Sequence, residues 1–295
     1  MLGVIDIRSL TKAYDEQRVV DELSFTARPG EVTGFLGPNG SGKTTTFRCV
    51  LGLAEPTSGE ALVGGRRYRD LDSPRTEVGA MFEATGFHPS RTGRNHLRVI
   101  ATSSGLDRTD VDALLDLVGL TTAADRRVGG YSLGMRQRLG LAAAMLGDPA
   151  TIVLDEPANG LDPEGVTWIR QLLRAWANEG RTVLVASHQL AELAQVVDHV
   201  VVVRDGRLAA DIDMTTLPDE VIVRVEETDV MLEALDRATI RHEATSDGAI
   251  LAAGSTAKAI GELAAAAGVT VIALAPVSAG DRLEALFLNQ AGSAR

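Results

Sequence analysis

Lysine is nearly missing from this 295-residue sequence, which has only Lys12, Lys43 and Lys258. Cysteine is rarer still, with Cys49 alone. A single cysteine excludes an internal disulfide and a cysteine-based metal cluster. Its place in an apolar helical pattern reads as a buried small hydrophobe rather than a reactive thiol. Positive charge is in deficit, the formal net charge being −11. A protein that tracks the phosphates of a nucleic acid needs a basic face, so the balance argues against that class. Long apolar runs are also lacking. The most apolar stretch, Val196 to Val203, is broken by Asp198 and His199, whereas a spanning helix needs ~20 apolar residues. Met1 to Leu10 holds no apolar stretch of signal-peptide length. The expectation is a cytosolic protein, held at a membrane only by a partner.

What is present suffices for a large domain and a small one. Hydrophobic residues make up 45% of the chain, enough to bury a real core. Ile5 to Leu10 and Leu23 to Ala27 alternate apolar and polar residues, as half-buried strands do. Val32 to Leu36, Thr151 to Leu154, Thr182 to Ala186 and Val200 to Val203 are short apolar runs that read as buried strands. Helical patterns lie between them, from Thr45 to Leu53, across most of Asn95 to Leu146, from Val166 to Asn178 and near Gln189 to Val197. Strands alternating with helices predict a parallel sheet covered on both faces. Pro218 marks a boundary. Beyond it, strands are expected at Val221 to Val225, Ala249 to Ala253 and Thr270 to Ala275, with helices at Val230 to Arg237 and Lys258 to Ala267. That is an α+β module of about 75 residues, enough for a small core.

The chemistry concentrates in a few places. Gly37-Pro38-Asn39-Gly40-Ser41-Gly42-Lys43-Thr44 fits the pattern G-x-x-x-x-G-K-[ST] between a strand and a helix. Its glycines let backbone N–H groups converge on phosphate oxygens, and the helix that follows through Thr45 turns its positive end to them. Lys43 supplies a point charge for the β- and γ-phosphates, and the Thr44 hydroxyl suits Mg²⁺. Asp155 ends an apolar strand, where a carboxylate beside such a loop can hold Mg²⁺. Glu156, next in the chain, can polarise an attacking water. Asp155-Glu156 alone would read as a solvated turn; with the phosphate loop it reads as a site.

In order and approximate spacing, these segments and three others resemble the ABC (ATP-binding cassette) ATPases over residues 1 to about 217. Tyr131-Ser132-Leu133-Gly134-Met135, followed by Arg136-Gln137-Arg138, is similar to the family's signature sequence; Asn159-Gly160-Leu161-Asp162 resembles its D-loop, and Ser187-His188 its switch histidine. The resemblance implies a P-loop NTPase (RecA-like) α/β core with an N-terminal antiparallel β subdomain and a helical signature subdomain inserted at about residues 84–147. Residues 219–295 would form the C-terminal accessory module. Two copies would sandwich two ATP molecules. Ser132 and the Gly134 backbone would reach the γ-phosphate held by the other chain, and His188 would hold that phosphate and the water. Asp162 would link the two sites, and Tyr14 would stack on adenine.

Two departures stand out. Leu133 occupies the place of the family's second signature glycine, and Met135 that of a glutamine. Val78 to Glu83 aligns with a segment that usually ends in glutamine, and Glu83 would there be a ligand of Mg²⁺. That glutamate, the segments Gly86-Phe87-His88-Pro89 and Thr92 to Leu97, and the tail Leu283 to Leu288 resemble the branch of bacitracin-resistance and lantibiotic-immunity ATPases. The function this implies is the Mg-ATP-hydrolysing subunit of an exporter. It would sit peripherally on the cytoplasmic face of the membrane, docked on separate membrane-spanning permease subunits. Its cargo class would be an antibiotic, peptide or drug-like compound. Two alternatives stand beside it: a soluble ABC ATPase acting on ribosomes or DNA, and an importer subunit. Ribosomal and DNA types usually carry two cassettes, long coiled coils or zinc insertions, none of which this sequence shows.

Overall fold

The computed structural model describes residues 3–82, 86–106, 109–188, 194–245, 247–278 and 280–283. The chain divides into two compact units after Met214. In the first, strands β3 (Val32–Leu36), β5 (Val78–Met81), β6 (Thr151–Asp155), β7 (Thr182–Ser187), β8 (His199–Arg204) and β9 (Arg207–Asp213) form one sheet in the order β5-β6-β7-β3-β8-β9. All neighbours are parallel except β8 and β9. β3, β6 and β7 are buried along their whole length, which is why they read as unbroken apolar runs rather than alternating ones.

A second sheet of the same unit packs β2 (Gln17–Ala27), β1 (Ile5–Tyr14) and β4 (Ser58–Val63) in that order, all antiparallel. The two sheets share a core with helix α1 (Lys43–Val50). Phe25 of β2, Phe35 of β3 and Phe47 of α1 stack in series, with centroids 5.0 and 5.6 Å apart. Such pairs are worth ~0.5–1.5 kcal/mol each beyond their burial. They fix where α1 starts, and hence where the loop before it lies.

Helices α3 (Gly93–Ser103), α4 (Val111–Leu117) and α5 (Leu133–Ala144) occupy the stretch between β5 and β6, after a short α2 (Pro74–Glu77). Their starts are set by Thr92, Asp110 and Ser132, each of which accepts a backbone N–H with its side chain. α6 (Pro163–Asn178) follows β6 with an apolar face of Ile169, Leu172, Leu173 and Trp176 turned inward. The helix expected near Gln189 to Val197 falls largely outside the described residues. β4, β5, β9 and the first half of β2 carry too few apolar positions, or too short a run, to stand out by pattern.

Burial leaves one pH-sensitive group in α3. His96 is buried against the edge of the Phe87 ring, and its Nδ1 has no hydrogen-bond partner. Burial, and secondarily the charge of Arg91, push its pKa below the ordinary 6.5. The folded chain therefore holds it neutral where the unfolded chain takes up a proton. Stability from this group is intact above the ordinary value and is lost as pH falls through it towards the folded value. Denaturant melts at several pH values should show His96→Leu losing less stability than the parent between pH ~7 and ~5. Equal losses would mean that His96 is not the group responsible.

The second unit is a four-stranded antiparallel sheet in the order β11-β12-β10-β13, built from β10 (Glu220–Val225), β11 (Arg241–Ala244), β12 (Ile250–Ala253) and β13 (Val271–Pro276). Helices α7 (Thr228–Arg237) and α8 (Ala257–Ala266) complete a β-α-β-β-α-β chain order. Alternate residues Val221, Val223, Ile250 and Ala252 meet Met231, Leu235, Ile260 and Ala264 in a core of their own. β11, with the sequence Arg-His-Glu-Ala, has no apolar rhythm and was not expected. Among the described residues no helix is long and apolar enough to cross a membrane.

Candidate nucleotide site

The loop after β3 leaves the carboxyl end of a central strand, where open parallel sheets bind ligands. It turns into α1 at Gly42, whose φ of +101° is a glycine conformation. A β-carbon there would also sit 2.7 Å from the Val19 carbonyl oxygen. No side chain caps α1, so the positive end of the helix faces the loop. The buried Ser41 hydroxyl has no hydrogen-bond partner. A buried hydroxyl beside an uncapped helix start suits an anion with several oxygens. The Lys43 side chain is 6% exposed; its Nζ donates to the carbonyls of Gly37 at 2.8 Å and Pro38 at 3.2 Å. The ammonium is thereby held over the loop.

Two carboxylates close the site. The Thr44 hydroxyl donates to Asp155 Oδ2 at 2.7 Å, which brings together two residues 111 positions apart. Both are hard oxygen donors of the kind Mg²⁺ prefers. No group of three or more His, Cys, Asp or Glu gathers as a metal cage among the described residues. Mg²⁺ takes one or two protein oxygens and fills the rest with water and phosphate. Thr44 and Asp155 could hold such an ion. Glu156 lies between two cations or potential cations, with Oε2 2.8 Å from His188 Nδ1 and Oε1 3.7 Å from Lys43 Nζ. Its φ is +51°, and its N–H donates to the Ala186 carbonyl at 3.1 Å. A left-handed non-glycine residue costs of order 1–3 kcal/mol, and such residues cluster at functional sites.

Together Asn39, Gly40, Gly42, Lys43, Thr44, Thr45, Asp155 and Glu156 line a cleft of about 450 Å³ with Val19, Arg48 and Phe82. The last three were not singled out from the sequence. Arg48 stands one turn after Thr44 on α1, a spacing that places both on one helix face and is the signal that finds it. Tyr14 does not line this cleft. It is 44% exposed, with Lys12 Nζ 4.8 Å from its ring centroid. Glu83 lies outside the described residues.

Ser132 and Gly134, at the start of α5, lie beside the loop that leads to Asp162, Leu161 Cδ2 being 3.4 Å from where a β-carbon on Gly134 would sit. Ser132 Oγ accepts from Met135 N at 3.2 Å, and Asp162 Oδ1 from Gly165 N at 2.7 Å, so each caps a helix. The preceding Tyr131 is buried, and its hydroxyl donates to the Ala123 carbonyl at 2.6 Å, pinning the turn.

Comparison with known proteins gives the family. The family model described as ABC transporter matches residues 20–159, and a domain family of unknown function matches residues 219–280. The bacitracin transport ATP-binding protein BcrA of Bacillus licheniformis is 40% identical over 215 residues, covering 72% of this chain and 70% of that protein. The lantibiotic transport ATP-binding protein SrtF of Streptococcus pyogenes is 31% identical over 207 residues, covering 70% of this chain and 89% of that one. A solved structure of an ATP-binding subunit of an ABC transporter superposes with a TM-score of 0.65 at 27% identity, covering 71% of this chain and 90% of that one.

Proposed function

The chain belongs to the ABC transporter family as an ATP-binding, ATP-hydrolysing subunit, and on that premise we propose that it drives export of an antibiotic, peptide or similar amphipathic compound through separate membrane-spanning subunits. The observation that carries the hydrolytic part is the placing of Glu156, held between His188 and Lys43 at the mouth of the loop. In this reading the N–H groups of Gly40 to Thr45 and the Lys43 ammonium bind the β- and γ-phosphates. Thr44 and Asp155 hold Mg²⁺, with Glu83 as a further ligand. The ion supplies charge neutralisation for the leaving and transferred phosphoryl oxygens. Glu156 accepts a proton from the attacking water; His188 holds the γ-phosphate and the water and, 2.8 Å from Glu156 Oε2, also orients its carboxylate. Ser132 and Gly134 serve the nucleotide of a second copy, and Tyr14 the adenine. Residues 1–217 form the ATPase domain and 219–295 an accessory module.

The cargo class draws support from the two transport relatives, whose names specify bacitracin and a lantibiotic. They give no support to action on ribosomes or DNA, and the acidic net charge speaks against a nucleic-acid partner. The proposed place is the cytoplasmic face of the membrane, reached through the permease. Affinity purification from detergent-solubilised membranes should bring down a protein with several apolar 20-residue spans, and the copurified complex should hydrolyse ATP faster than the chain alone. Recovery with ribosomes or DNA instead would overturn the proposal.

A further inference from the structure

α5 opens with Leu133, a large apolar residue that is 47% exposed, and its covered part is closely packed. A β-carbon on Gly160 would lie 2.1 Å from Leu133 Cδ2 and 2.8 Å from its Cγ. The isobutyl group therefore fills the hollow that Gly160 leaves. Gly160 has φ +75°, so it needs glycine on two counts. One helical turn on, the buried Gln137 donates Nε2 to the Asn159 carbonyl at 2.9 Å. Leu133 and Gln137 are spaced i, i+4 and share a face. Beside them, Leu161 Cδ2 comes within 3.4 Å of where a β-carbon on Gly134 would sit, and the Arg138 guanidinium lies 4.0 Å from the Trp168 ring centroid. The loop so gripped is tied to the backbone of Glu156, because Asn159 N donates to the Glu156 main-chain carbonyl at 3.2 Å. It ends at Asp162, which caps α6.

We propose that Leu133 is a positioning residue that latches the turn bearing Ser132 onto the loop Asn159 to Asp162, so that the part of the chain reaching a second copy's nucleotide and the loop following Glu156 move as one body. The proposal rests on the two-copy reading of the site. Truncating Leu133 leaves the chain's own phosphate loop untouched, since Leu133 does not line that cleft. It frees the Ser132 turn to lag behind the loop as two copies close.

The test uses the full chain carrying Glu156→Gln, which retains ATP, and follows pairing by light scattering as Mg-ATP is titrated. Fluorescent ADP binding to the single chain is measured alongside. Leu133→Ala, which keeps helix propensity, is expected to raise the ATP concentration for half-maximal pairing about tenfold, with ADP affinity unchanged within about twofold. Leu133→Met should restore pairing. Gly160→Ala puts a methyl group where Leu133 sits, so its penalty should be about fivefold larger with Leu133 present than with Leu133→Ala. Pairing of Leu133→Ala at the parent's ATP concentration, or equal Gly160→Ala penalties in both backgrounds, overturns the latch alone. A Glu156→Gln parent that never pairs on ATP overturns the two-copy reading and the latch with it.

Discussion

Lys43→Ala should lower ATP hydrolysis by about 10²–10⁴-fold in a chain that still folds, because two charge-assisted hydrogen bonds at ~1.5–3 kcal/mol each are lost from the phosphates. The geometry explains why no neighbour substitutes. Lys43 Nζ is held over the loop by the Gly37 and Pro38 carbonyls, and the other two lysines of the chain lie at positions 12 and 258. Arg48 lines the same cleft, but it stands five residues further along α1, away from the Gly37 and Pro38 carbonyls that hold the Lys43 ammonium. The loss has a second part. Without the ammonium, the two carbonyls lose their donor and Glu156 loses the cation at 3.7 Å, so the loop itself loosens. Phosphate release measures the first effect and fluorescent nucleotide binding the second. A thermal melt within a few degrees of the parent guards against global unfolding. Hydrolysis within twofold of the parent in such a sample would overturn the assignment of the loop.

The sequence made the phosphate side of the site legible because its residues are contiguous. Gly37 to Thr44 and Asp155-Glu156 each follow an apolar strand, and a strand end tells where the following residues point. The pairing of Thr44 with Asp155 could be expected from that alone. Distances that depend on packing were not legible. Nothing in the pattern of residues 133 to 137 announces that Leu133 rests on Gly160, because a half-exposed leucine at a helix start has no periodic partner. Tyr14 illustrates another limit. The alternation reads only from Ile5 to Leu10, so the continuation of β1 to Tyr14 was not legible, and whether Tyr14 faces a ligand depends on the β1–β2 twist and its bulges. The strands β4 and β9 escaped notice for a physical reason: they lie at sheet edges, one face in water, and carry polar residues that blunt an apolar rhythm. The helix-rich stretch from residue 93 to 144 was legible as helical, yet where its three helices start is set by caps at Thr92, Asp110 and Ser132.

Glu156→Gln should bind ATP as the parent does and turn it over ~10²–10⁴-fold more slowly, the usual range for removing a general base. The substitution isolates the chemistry because the amide can keep both neighbours. Its oxygen can face Lys43 Nζ, and its NH₂ can donate to His188 Nδ1 in the neutral tautomer, so neither partner is stranded. The backbone at φ +51° is as accessible to glutamine as to glutamate, so no strain is added. What is lost is the negative charge that draws a proton from water. Because the phosphate loop and the Thr44–Asp155 pair are unaffected, nucleotide and Mg²⁺ should still bind, and blocked turnover should then let ATP hold two copies together. Single-turnover hydrolysis gives the rate loss, and light scattering with Mg-ATP shows the paired species. A variant that hydrolyses at the parent's rate would mean that the water is activated elsewhere. His188, already 2.8 Å from the carboxylate, would be the first residue to test in its place.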